Sequence, residues 1–291
     1  MPGWQTPAMS LAFTKMHGAG NDFVVLDCRH GQALPDHNTL VHMADRRRGI
    51  GCDQIMVLEP PRQPGSLAAY RIINTDGSAA GQCGNGARCL AAWLHRAGEL
   101  GPAAVLDSPS GPVPVRVLAD GGIEVSLQVP VFDPPAIPMV LPPARGVLAG
   151  ADNAWHRLDL DGHSVHFGAV SMGNPHVIIE VGDLDRAPLA LARQLQADPA
   201  FPQGCNVSFA RVLDRDRIGL RVIERGVGET LACGSAACAS HAWLQRLGRG
   251  GSDSRVELPG GILQVTWAGG VDEPVRLAGP STFVFEGTWL S

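Results

Sequence analysis

Short apolar segments recur along the chain, and most of them are rich in Val and Ile and bounded by Gly, Pro, Asp or Asn. Segments of this kind are typical of β-strands. The pattern predicts strands over residues 23–26, 55–58, 70–74, 113–117, 123–129, 176–181, 206–212, 218–224, 255–258 and 262–267. Because Gly and Pro are also frequent, with 36 and 23 residues, we expect a fold of many short strands and tight turns.

Three segments have the pattern of α-helices. One covers residues 39–48, with basic residues in its last turn and Gly49 as its C-cap. Two others begin near Cys83 and Cys233 and end at Gly98 and Gly248. Residues 129–143 are rich in proline, which favours a connection between domains at that point.

The chain contains an internal repeat. When it is slid along itself so that Cys83 lies on Cys233, Arg71-Ile72-Ile73 lies on Arg221-Val222-Ile223 and Ala92-Trp93-Leu94 lies on Ala242-Trp243-Leu244. A slightly different offset aligns Gly20-Asn21 with Gly173-Asn174 and Gly51-Cys52-Asp53 with Gly204-Cys205-Asn206. Matches in the same order along both halves indicate a duplication. They predict two homologous α/β halves with a ligand in the cleft between them.

Composition excludes several classes of protein. With 45% hydrophobic residues the chain of 291 residues can form a packed core, and no apolar run approaches the ~20 residues of a membrane-spanning helix. The net charge of -5, with no basic cluster beyond Arg46-Arg47-Arg48, argues against a nucleic-acid partner. The 7 cysteines are odd in number and the first residues lack the pattern of a signal peptide, which predicts a reduced, cytoplasmic protein.

Cys83 and Cys233 occupy equivalent places, each where a loop leads into a helix, in Gln82-Cys83-Gly84-Asn85 and Ala232-Cys233-Gly234-Ser235. A thiol at a helix N-terminus lies close to unpaired backbone N–H groups, which lower its pKa and also bind anions such as a carboxylate. Two such thiols are what a two-base racemisation or epimerisation requires. One thiolate removes an α-proton, and the opposite thiol protonates the other face of the carbon.

Packing and zinc binding are the other interpretations of these cysteines. Free cysteine is commonly buried, but packing alone does not account for a matched pair in duplicated loops. The pairs Cys83/Cys89 and Cys233/Cys238 lack the spacing of a zinc site and no histidine pair accompanies them, so we predict no metal site. The cysteines predicted to be packing residues are Cys28, Cys52, Cys89, Cys205 and Cys238.

Several long segments closely resemble the diaminopimelate epimerase family, whose members act in lysine and peptidoglycan-precursor synthesis without pyridoxal phosphate. The segments are Lys15-Met16-His17-Gly18-Ala19-Gly20-Asn21-Asp22-Phe23, Gly51-Cys52-Asp53-Gln54, Gln82-Cys83-Gly84-Asn85-Gly86-Ala87-Arg88-Cys89, Ser171-Met172-Gly173-Asn174-Pro175-His176 and Glu224-Arg225-Gly226-Val227-Gly228-Glu229-Thr230-Leu231-Ala232-Cys233-Gly234-Ser235. The resemblance covers nearly the whole chain from residue 11 onward. Because the first ten residues precede the family's usual start, Met9 is expected as an alternative to Met1 as the natural initiator.

The resemblance implies an α+β or α/β fold of two pseudo-symmetric domains, each a mixed β-sheet wrapped around a central helix. It implies an N-terminal domain of residues 11–130 plus 280–291, carrying Cys83, because the C-terminal strand of the family crosses back to the first domain. Residues 131–279 form the second domain, carrying Cys233. The active site is expected in the cleft between the two domains.

The resemblance also implies roles for individual residues, with Cys83 and Cys233 as the acid/base pair. The implied substrate-binding residues are Asn21, Gln54, Asn74, Gly84, Asn85, Asn174, Asn206, Glu224, Arg225, Gly234 and Ser235. Arg225 with Asn74, Asn174 and Asn206 would clamp the distal, non-reacting end, which is chemically sensible because a guanidinium pairs bidentately with a carboxylate. Glu224 and His176 are implied to help set the protonation state of the thiols.

The expected activity is interconversion of LL- and meso-2,6-diaminopimelate, without cofactor or metal, by a homodimer as in the family. The single lysine, Lys15, lies in a motif shared with enzymes that use no pyridoxal phosphate. Two alternatives remain: a racemase of another amino acid, such as histidine or proline, with the same two thiols, and a non-catalytic amino-acid-binding protein. The distal clamp argues against the first, and the presence of both cysteines argues against the second.

Overall fold

The computed structural model describes residues 10–140 and 155–290 of the chain. The chain divides into two compact units. The first runs to Val125 and takes up the chain again from Pro280, and the second comprises Ser126–Gly279. The sequence places the corresponding division at residue 130. The candidate initiator Met9 lies outside the described residues.

The first unit is a mixed β-sheet with two helices. Its strands pair in the order β18-β1-β2-β3-β4-β6-β7-β8, and β5 is added on β4. The pairs β2/β3 and β4/β6 are parallel and the others antiparallel. The elements are β1 (Ser10–Gly18), β2 (Asn21–Asp27), α1 (His37–Ala44), β3 (Gln54–Glu59), β4 (Ala68–Asn74), β5 (Ala79–Ala80), α2 (Gly84–Arg96), β6 (Ala103–Ser108), β7 (Gly111–Val117), β8 (Ile123–Ser126) and β18 (Thr282–Leu290).

The second unit is built in the same way. Its strands pair in the order β9-β10-β11-β12-β13-β15-β16-β17, with β14 on β13, and only β11/β12 and β13/β15 of these pairs are parallel. The elements are a 3-10 turn (Pro134–Ala136), β9 (His156–Leu160), β10 (His163–Ser171), β11 (Pro175–Glu180), α3 (Leu189–Ala197), β12 (Asn206–Asp214), β13 (Arg217–Glu224), β14 (Gly228–Thr230), α4 (Gly234–Arg246), β15 (Asp253–Leu258), β16 (Gly261–Thr266) and β17 (Arg276–Gly279).

The two units share one strand order. The series β1-β2-β3-β4-β6-β7-β8 and the series β10-β11-β12-β13-β15-β16-β17 have the same sequence of parallel and antiparallel pairs. The helices α2 and α4 follow equivalent strands, and so do α1 and α3. The internal repeat is therefore confirmed, as is the predicted fold class of two pseudo-symmetric mixed sheets, each around a central helix.

The helices α2 and α4 are the buried centres of their units. Helix α2 packs against β1, β2, β3 and β7, and α4 packs against β10 to β13 and β15 to β17. Since one helix contacts strands from both ends of its sheet, each sheet curls around its helix. Alanines such as Ala236, Ala237 and Ala239 are fully buried in α4, and their small side chains allow this close approach.

The outer face of each sheet carries a second core. Alternate residues of β2 and β3, including Val24, Leu26, Ile55 and Val57, pack with Leu40 and Met43 of α1. In the second unit, α3 covers the sheet through Ala192 and Leu195. Because the strands are buried on both faces, they read as continuous apolar runs. That is why the sequence pattern located β2, β3, β11 and β12.

The first helix was predicted to extend too far. It spans His37–Ala44, not 39–48. The carboxylate of Asp36 accepts the N–H of Thr39 at 2.8 Å, which fixes the start of the helix. The helix ends because Asp45 takes an extended conformation, and its carboxylate accepts the N–H groups of Arg47 and Arg48. Gly49 is therefore not the C-cap.

The proline-rich segment is not a free connection between domains. Ile137 and Met139 are buried in the core of the second unit, and Val131 forms a β-bridge with Ser171. Proline favours the 3-10 turn at Pro134–Ala136 because its fixed φ suits the first position of a turn. Positions 141–143 lie outside the described residues.

The end of the chain belongs to the first unit. Strand β18 pairs antiparallel with β1 from Ser10/Leu290 to His17/Thr282. Phe13 and Phe285 make an edge-to-face contact across this pair, with ring centroids 5.9 Å apart. None of the described helices has both the length and the apolar character needed to cross a membrane.

Candidate active site

Cys83 is the N-cap residue of α2. Its backbone is extended, and its Sγ accepts a hydrogen bond from the N–H of Gly86 at 3.4 Å. A Cβ at Gly86 would lie 2.7 Å from Sδ of Met56, so any larger residue there would displace the Met56 side chain of β3. The thiol is half-buried and can be reached by a ligand.

Two asparagines lie beside this thiol. Oδ1 of Asn21, at the start of β2, is 3.7 Å from Sγ of Cys83, which donates to it. The same oxygen accepts a hydrogen bond from Nδ2 of Asn85 at 3.2 Å. Asn85 is buried in the first turn of α2, next to Gly84. The structure therefore brings together Cys83, Asn21, Gly84 and Asn85, four of the predicted site residues.

Tyr70, which is outside the predicted site residues, also lies close to Cys83. Its side chain is fully buried in β4. Burial raises the pKa of Tyr70, and a negative charge on Cys83 would raise it further, so the phenol stays neutral. The signal that could have indicated it is that Tyr70 is the single tyrosine of the sequence.

An ion cluster supports Asn21 from the other side. Asp22 and Asp53 each accept the other's backbone N–H, at 2.9 and 3.1 Å, and Nη2 of Arg46 donates to both carboxylates at 2.7 Å. Lys15 pairs with Asp22 at 2.5 Å. Burial raises the pKa of Asp22, but hydrogen bonds from Arg46 and Lys15 outweigh it and bring the pKa to about 2.

Gln54 and Asn74 form a separate pair in the first unit. They lie opposite each other on β3 and β4, and Nε2 of Gln54 donates to Oδ1 of Asn74 at 3.0 Å. Asn74 in turn donates to Oγ of Ser78 at 3.0 Å. Both amides are half-buried, so each retains a surface on which a ligand can be recognised.

Cys233 is the N-cap residue of α4 and is more buried than Cys83. Its Sγ lies 3.5 Å from Oγ of Ser235, beside Gly234. Burial raises the pKa of Cys233 well above its usual value, and the carboxylate of Glu224 raises it further, whereas Ser235 and the N–H of Ala236 act in the opposite direction. The expectation that the helix N-terminus makes this thiol acidic is therefore wrong, because burial and Glu224 outweigh it.

Glu224 ends β13 and acts on Cys233 through its charge. Oε1 of Glu224 accepts a hydrogen bond from Oγ1 of Thr230, on β14, at 2.6 Å. Thr230, which is outside the predicted site residues, fixes the position of the carboxylate. Its place three residues before Cys233 in the duplicated loop was the available signal.

His176 and Asn174 form another pair in the second unit. Nε2 of His176 is 3.0 Å from Oδ1 of Asn174, so the proton of the neutral ring lies on Nε2. Burial lowers the pKa of His176 to about 3, with a smaller effect from Arg225. The ring is therefore neutral at physiological pH, and its visible action is to orient the amide of Asn174.

Asn206 and Arg225 meet at the ends of β12 and β13. Oδ1 of Asn206 accepts the backbone N–H of Arg225 at 2.9 Å, and Nη1 of Arg225 donates to the carbonyl of Gln203 at 2.5 Å. The side chain of Gln196, on α3, donates to the carbonyls of Cys205 and Ile223. Gln196 thus ties together the two strand ends that carry Asn206 and Glu224, and no local sequence signal indicated it.

Comparison with known proteins matches the sequence of the chain to one family. The family model described as diaminopimelate epimerase matches residues 13–132 and 168–284. The diaminopimelate epimerase of Xanthomonas axonopodis pv. citri (strain 306) is 51% identical over 281 residues, which cover 96% of both chains. That of Xylella fastidiosa (strain M12) is 50% identical over 293 residues, which cover 99% of both chains.

Solved structures support the fold at much lower identity. A hydroxyproline epimerase from Agrobacterium vitis has a TM-score of 0.68 at 16% identity and covers 97% of this chain and 92% of its own. The PhzF-family phenazine biosynthesis protein of Bacillus anthracis has a TM-score of 0.66 at 14% identity and covers 97% of this chain and 99% of its own. These two likenesses concern the fold alone.

The matched family and the two relatives are epimerases, so the protein belongs to the class of isomerases. Within that class the sequence similarity is specific. The chain belongs to the diaminopimelate epimerase family.

Proposed function

We propose that the chain interconverts LL- and meso-2,6-diaminopimelate in lysine and peptidoglycan-precursor synthesis, with Cys83 and Cys233 as acid and base. The observation that carries the residue assignment is the N-cap position of one thiol in each duplicated unit. The reaction requires that the two thiols reach opposite faces of one α-carbon. No cofactor or metal takes part in the proposed chemistry.

The proposed reaction removes one proton from the α-carbon and adds another proton to its opposite face. A thiolate takes the proton from the α-carbon, and the C–H electron pair is delocalised into the α-carboxylate. The thiol of the other cysteine then gives its proton to the opposite face. The first cysteine leaves the turnover as a thiol and the second as a thiolate. N–H groups at Gly84, Asn85, Gly234 and Ser235 bind the carboxylate and stabilise the negative charge that develops on it.

Glu224 determines where a proton rests in the second unit. Because burial and the Glu224 carboxylate both raise the pKa of Cys233, this residue holds its proton in the ligand-free enzyme. Cys233 is therefore the proton donor in the direction in which Cys83 acts as base. His176, which is neutral, contributes by orienting Asn174.

The distal end of the substrate is assigned to amides and one guanidinium. Arg225 is exposed, and its side chain donates to the described residues through Nη1 alone. The rest of the guanidinium is therefore available to take a carboxylate in two parallel bonds. Asn74, Asn174 and Asn206 complete the recognition in the proposal, and Gln54 orients Asn74. A clamp of this kind separates diaminopimelate from amino acids that lack a second carboxylate.

Deuterium exchange tests the activity and the assignment together. Freshly reduced protein, without pyridoxal phosphate and with a chelator present, is incubated in D₂O with LL-diaminopimelate and separately with histidine, proline and lysine. We expect deuterium at one α-carbon of diaminopimelate alone, with the meso form appearing. Cys83→Ser and Cys233→Ser should each abolish the exchange, and Cys28→Ser, at an equally half-buried cysteine, should not.

The other outcomes separate the alternatives. Exchange into histidine or proline instead of diaminopimelate would retain the two thiols and replace the substrate. Binding of diaminopimelate with no exchange, in protein whose thiols are free, would identify a binding protein and overturn the enzymatic proposal.

A homodimer is part of the proposal. In the described part of the chain β18 pairs on one side only, with β1, and Val284, Phe285 and Leu290 are exposed on it. A strand edge with exposed apolar side chains favours association with a second copy. Sedimentation velocity should give a dimer for the native chain and a monomer for Phe285→Glu, whereas Val271→Glu, at an exposed valine of the second unit, should stay dimeric. A cytoplasmic location is proposed as well, and cell fractionation tests it.

A further inference from the structure

A line of polar side chains runs through the surroundings of Cys83. Nη2 of Arg88 donates to Oδ1 of Asn85 at 2.8 Å, and Nδ2 of Asn85 donates to Oδ1 of Asn21 at 3.2 Å. Nδ2 of Asn21 then donates to Oδ2 of Asp53 at 2.8 Å. The four residues come from α2, from the start of β2 and from the loop that precedes β3. Every link in the line is a direct hydrogen bond.

The two ends of this line determine the direction of each bond in it. A guanidinium can only donate hydrogen bonds, and an ionised carboxylate can only accept them. Arg88 therefore requires the amide oxygen of Asn85, and Asp53 requires the amide nitrogen of Asn21. Since each amide has one oxygen and one nitrogen, Asn85 must present its nitrogen to Asn21, and Asn21 must present its oxygen to Asn85.

Both ends are well supported. Arg88 is fully buried, so it does not exchange its partners for water. Asp53 is surrounded by donors: Oδ2 also accepts the N–H of Asp22 at 3.1 Å, and Oδ1 accepts Nη2 of Arg46 at 2.7 Å. Three donors therefore hold the Asp53 carboxylate in place.

The fixed orientation of Asn21 determines which of its atoms faces Cys83. The oxygen of Asn21 faces Sγ at 3.7 Å, where a thiol can donate to it and a thiolate would meet its lone pairs. The N–H of Gly86 acts in the opposite direction, because it stabilises a thiolate. Among the titratable and charged groups of the surrounding elements, Tyr70 and Cys89 interact electrostatically with Cys83. The groups in the hydrogen-bond network around Asn21 and Asn85 are Lys15, Asp22, Asp53 and Arg88.

We propose that Asp53 and Arg88 are positioning residues, which fix the amides of Asn21 and Asn85 and so hold a hydrogen-bond acceptor at Cys83 that keeps the proton on sulfur. A substrate ammonium that engages Asn21 would take this oxygen, so that Cys83 can lose its proton to solvent before it acts as base. The inference rests on the proposed function in its assignment of Cys83 as acid/base and of Asn21 as a substrate-binding residue.

The test measures the pH dependence of alkylation at individual cysteines. Protein is treated with iodoacetamide between pH 6 and 10, and the modification of Cys83 is quantified by peptide mass spectrometry, with Cys28 as internal reference. Asp53→Ala removes both the charge and the acceptor of Asn21. Asp53→Asn is the matched control, because it removes the charge and keeps an oxygen that can accept from Asn21.

We expect Asp53→Ala to lower the pH midpoint of Cys83 alkylation by about half a unit or more, the size that loss of one neutral hydrogen bond gives. Asp53→Asn should keep the midpoint near that of the native protein. For the same reason, Asp53→Ala should raise KM for diaminopimelate several-fold, and Asp53→Asn should restore it. The Cys28 midpoint should not move in either variant.

Equal shifts in the two variants would mean that the charge of Asp53 acts directly on the thiol, and an unchanged midpoint in Asp53→Ala would mean that Asn21 is not held by Asp53. Either result overturns the proposal. If Asp53→Ala does not fold, Asp53→Ser replaces it, since its hydroxyl lies one bond nearer the backbone than the carboxylate oxygens. If the alkylation midpoints of Cys83 shift as predicted but the protein does not turn over diaminopimelate, the positioning role is supported and the proposed function is refuted.

Discussion

Substitution of His156 by Phe should make the protein less sensitive to acid. His156 is 1% exposed, and neither ring nitrogen has a hydrogen-bond partner among the described residues. Its ring lies against Phe167, with centroids 5.6 Å apart, so an aromatic replacement suits the site. Burial lowers the pKa of His156 from 6.5 to about 4.

The sign and size of the effect follow from this shift. Above pH 6.5 the ring is neutral in both the folded and the unfolded chain. As the pH falls from 6.5 towards 4, the unfolded chain binds a proton at His156 and the folded chain does not, so folding becomes less favourable. Each pH unit in this window contributes about 1.4 kcal/mol, which gives about 2 kcal/mol at pH 5.

Urea unfolding at pH 8, 7, 6 and 5 measures the prediction. We expect the free energy of unfolding of His156→Phe, relative to the native protein, to rise by about 2 kcal/mol between pH 8 and pH 5. Constant packing differences cancel in this comparison, and so do the other buried histidines, His176 and His241, which are present in both proteins. His163→Phe, at an exposed position of the adjacent strand β10, is the control and should leave the pH dependence unchanged. Parallel curves for His156→Phe and the native protein would refute the reasoning.

Three further predictions concern the second unit. Glu224→Gln should lower the pH midpoint of Cys233 alkylation, because burial and the Glu224 carboxylate both raise this pKa and the substitution removes the carboxylate. An unchanged midpoint would leave burial as the sole cause. Gln196→Ala should lower Tm and raise KM several-fold with little change in kcat, because the ends of β12 and β13 lose the hydrogen bonds that connect them. Gln194→Ala, at an exposed position of the same helix, should change neither Tm nor KM. Gly173→Ala should destabilise the protein by about 1–3 kcal/mol in thermal unfolding. Gly173 has a φ of 87°, and a Cβ there would lie 2.1 Å from Oε1 of Gln128. Gly182→Ala, with open space around the position, should leave the stability unchanged.

The sequence predicted the parts of the fold in which one segment carries its own signal. Strands β2, β3, β11 and β12 are apolar on both faces, so their runs are continuous. Strand β1 was missed because Thr14, Lys15 and His17 interrupt its apolar pattern, although Lys15 is buried through its pairing with Asp22. Helix α3 was missed because no side chain caps its start. Its equivalence to α1 in the repeat was the signal that remained.

The site shows the same limit. The cysteines and asparagines lie in long motifs, so the resemblance could select them one by one. Arg88, Gln196 and the bond from Asn21 to Asp53 could not be inferred in this way, because their roles depend on contacts between residues far apart in the sequence. A local sequence pattern does not show how deeply a side chain such as that of Cys233 is buried either. That is why a helix N-terminus alone gave the wrong direction for Cys233.

Duplication gave both cysteines the same position on the same kind of helix, yet their surroundings differ in kind. Cys83 is half-buried, accepts an N–H from Gly86 and donates to a neutral amide. Cys233 is buried beside a carboxylate. An epimerase of LL- and meso-diaminopimelate works on two substrates that are not mirror images, so its two acid/base groups need not be equivalent. A proton held by charge at Cys233 and by an oriented amide at Cys83 gives each direction of the reaction its own control. Substitution of Glu224 or of Asp53 should therefore change kcat and KM by different factors in the two directions. The ratio of the two kcat/KM values should stay constant, because the equilibrium constant fixes it.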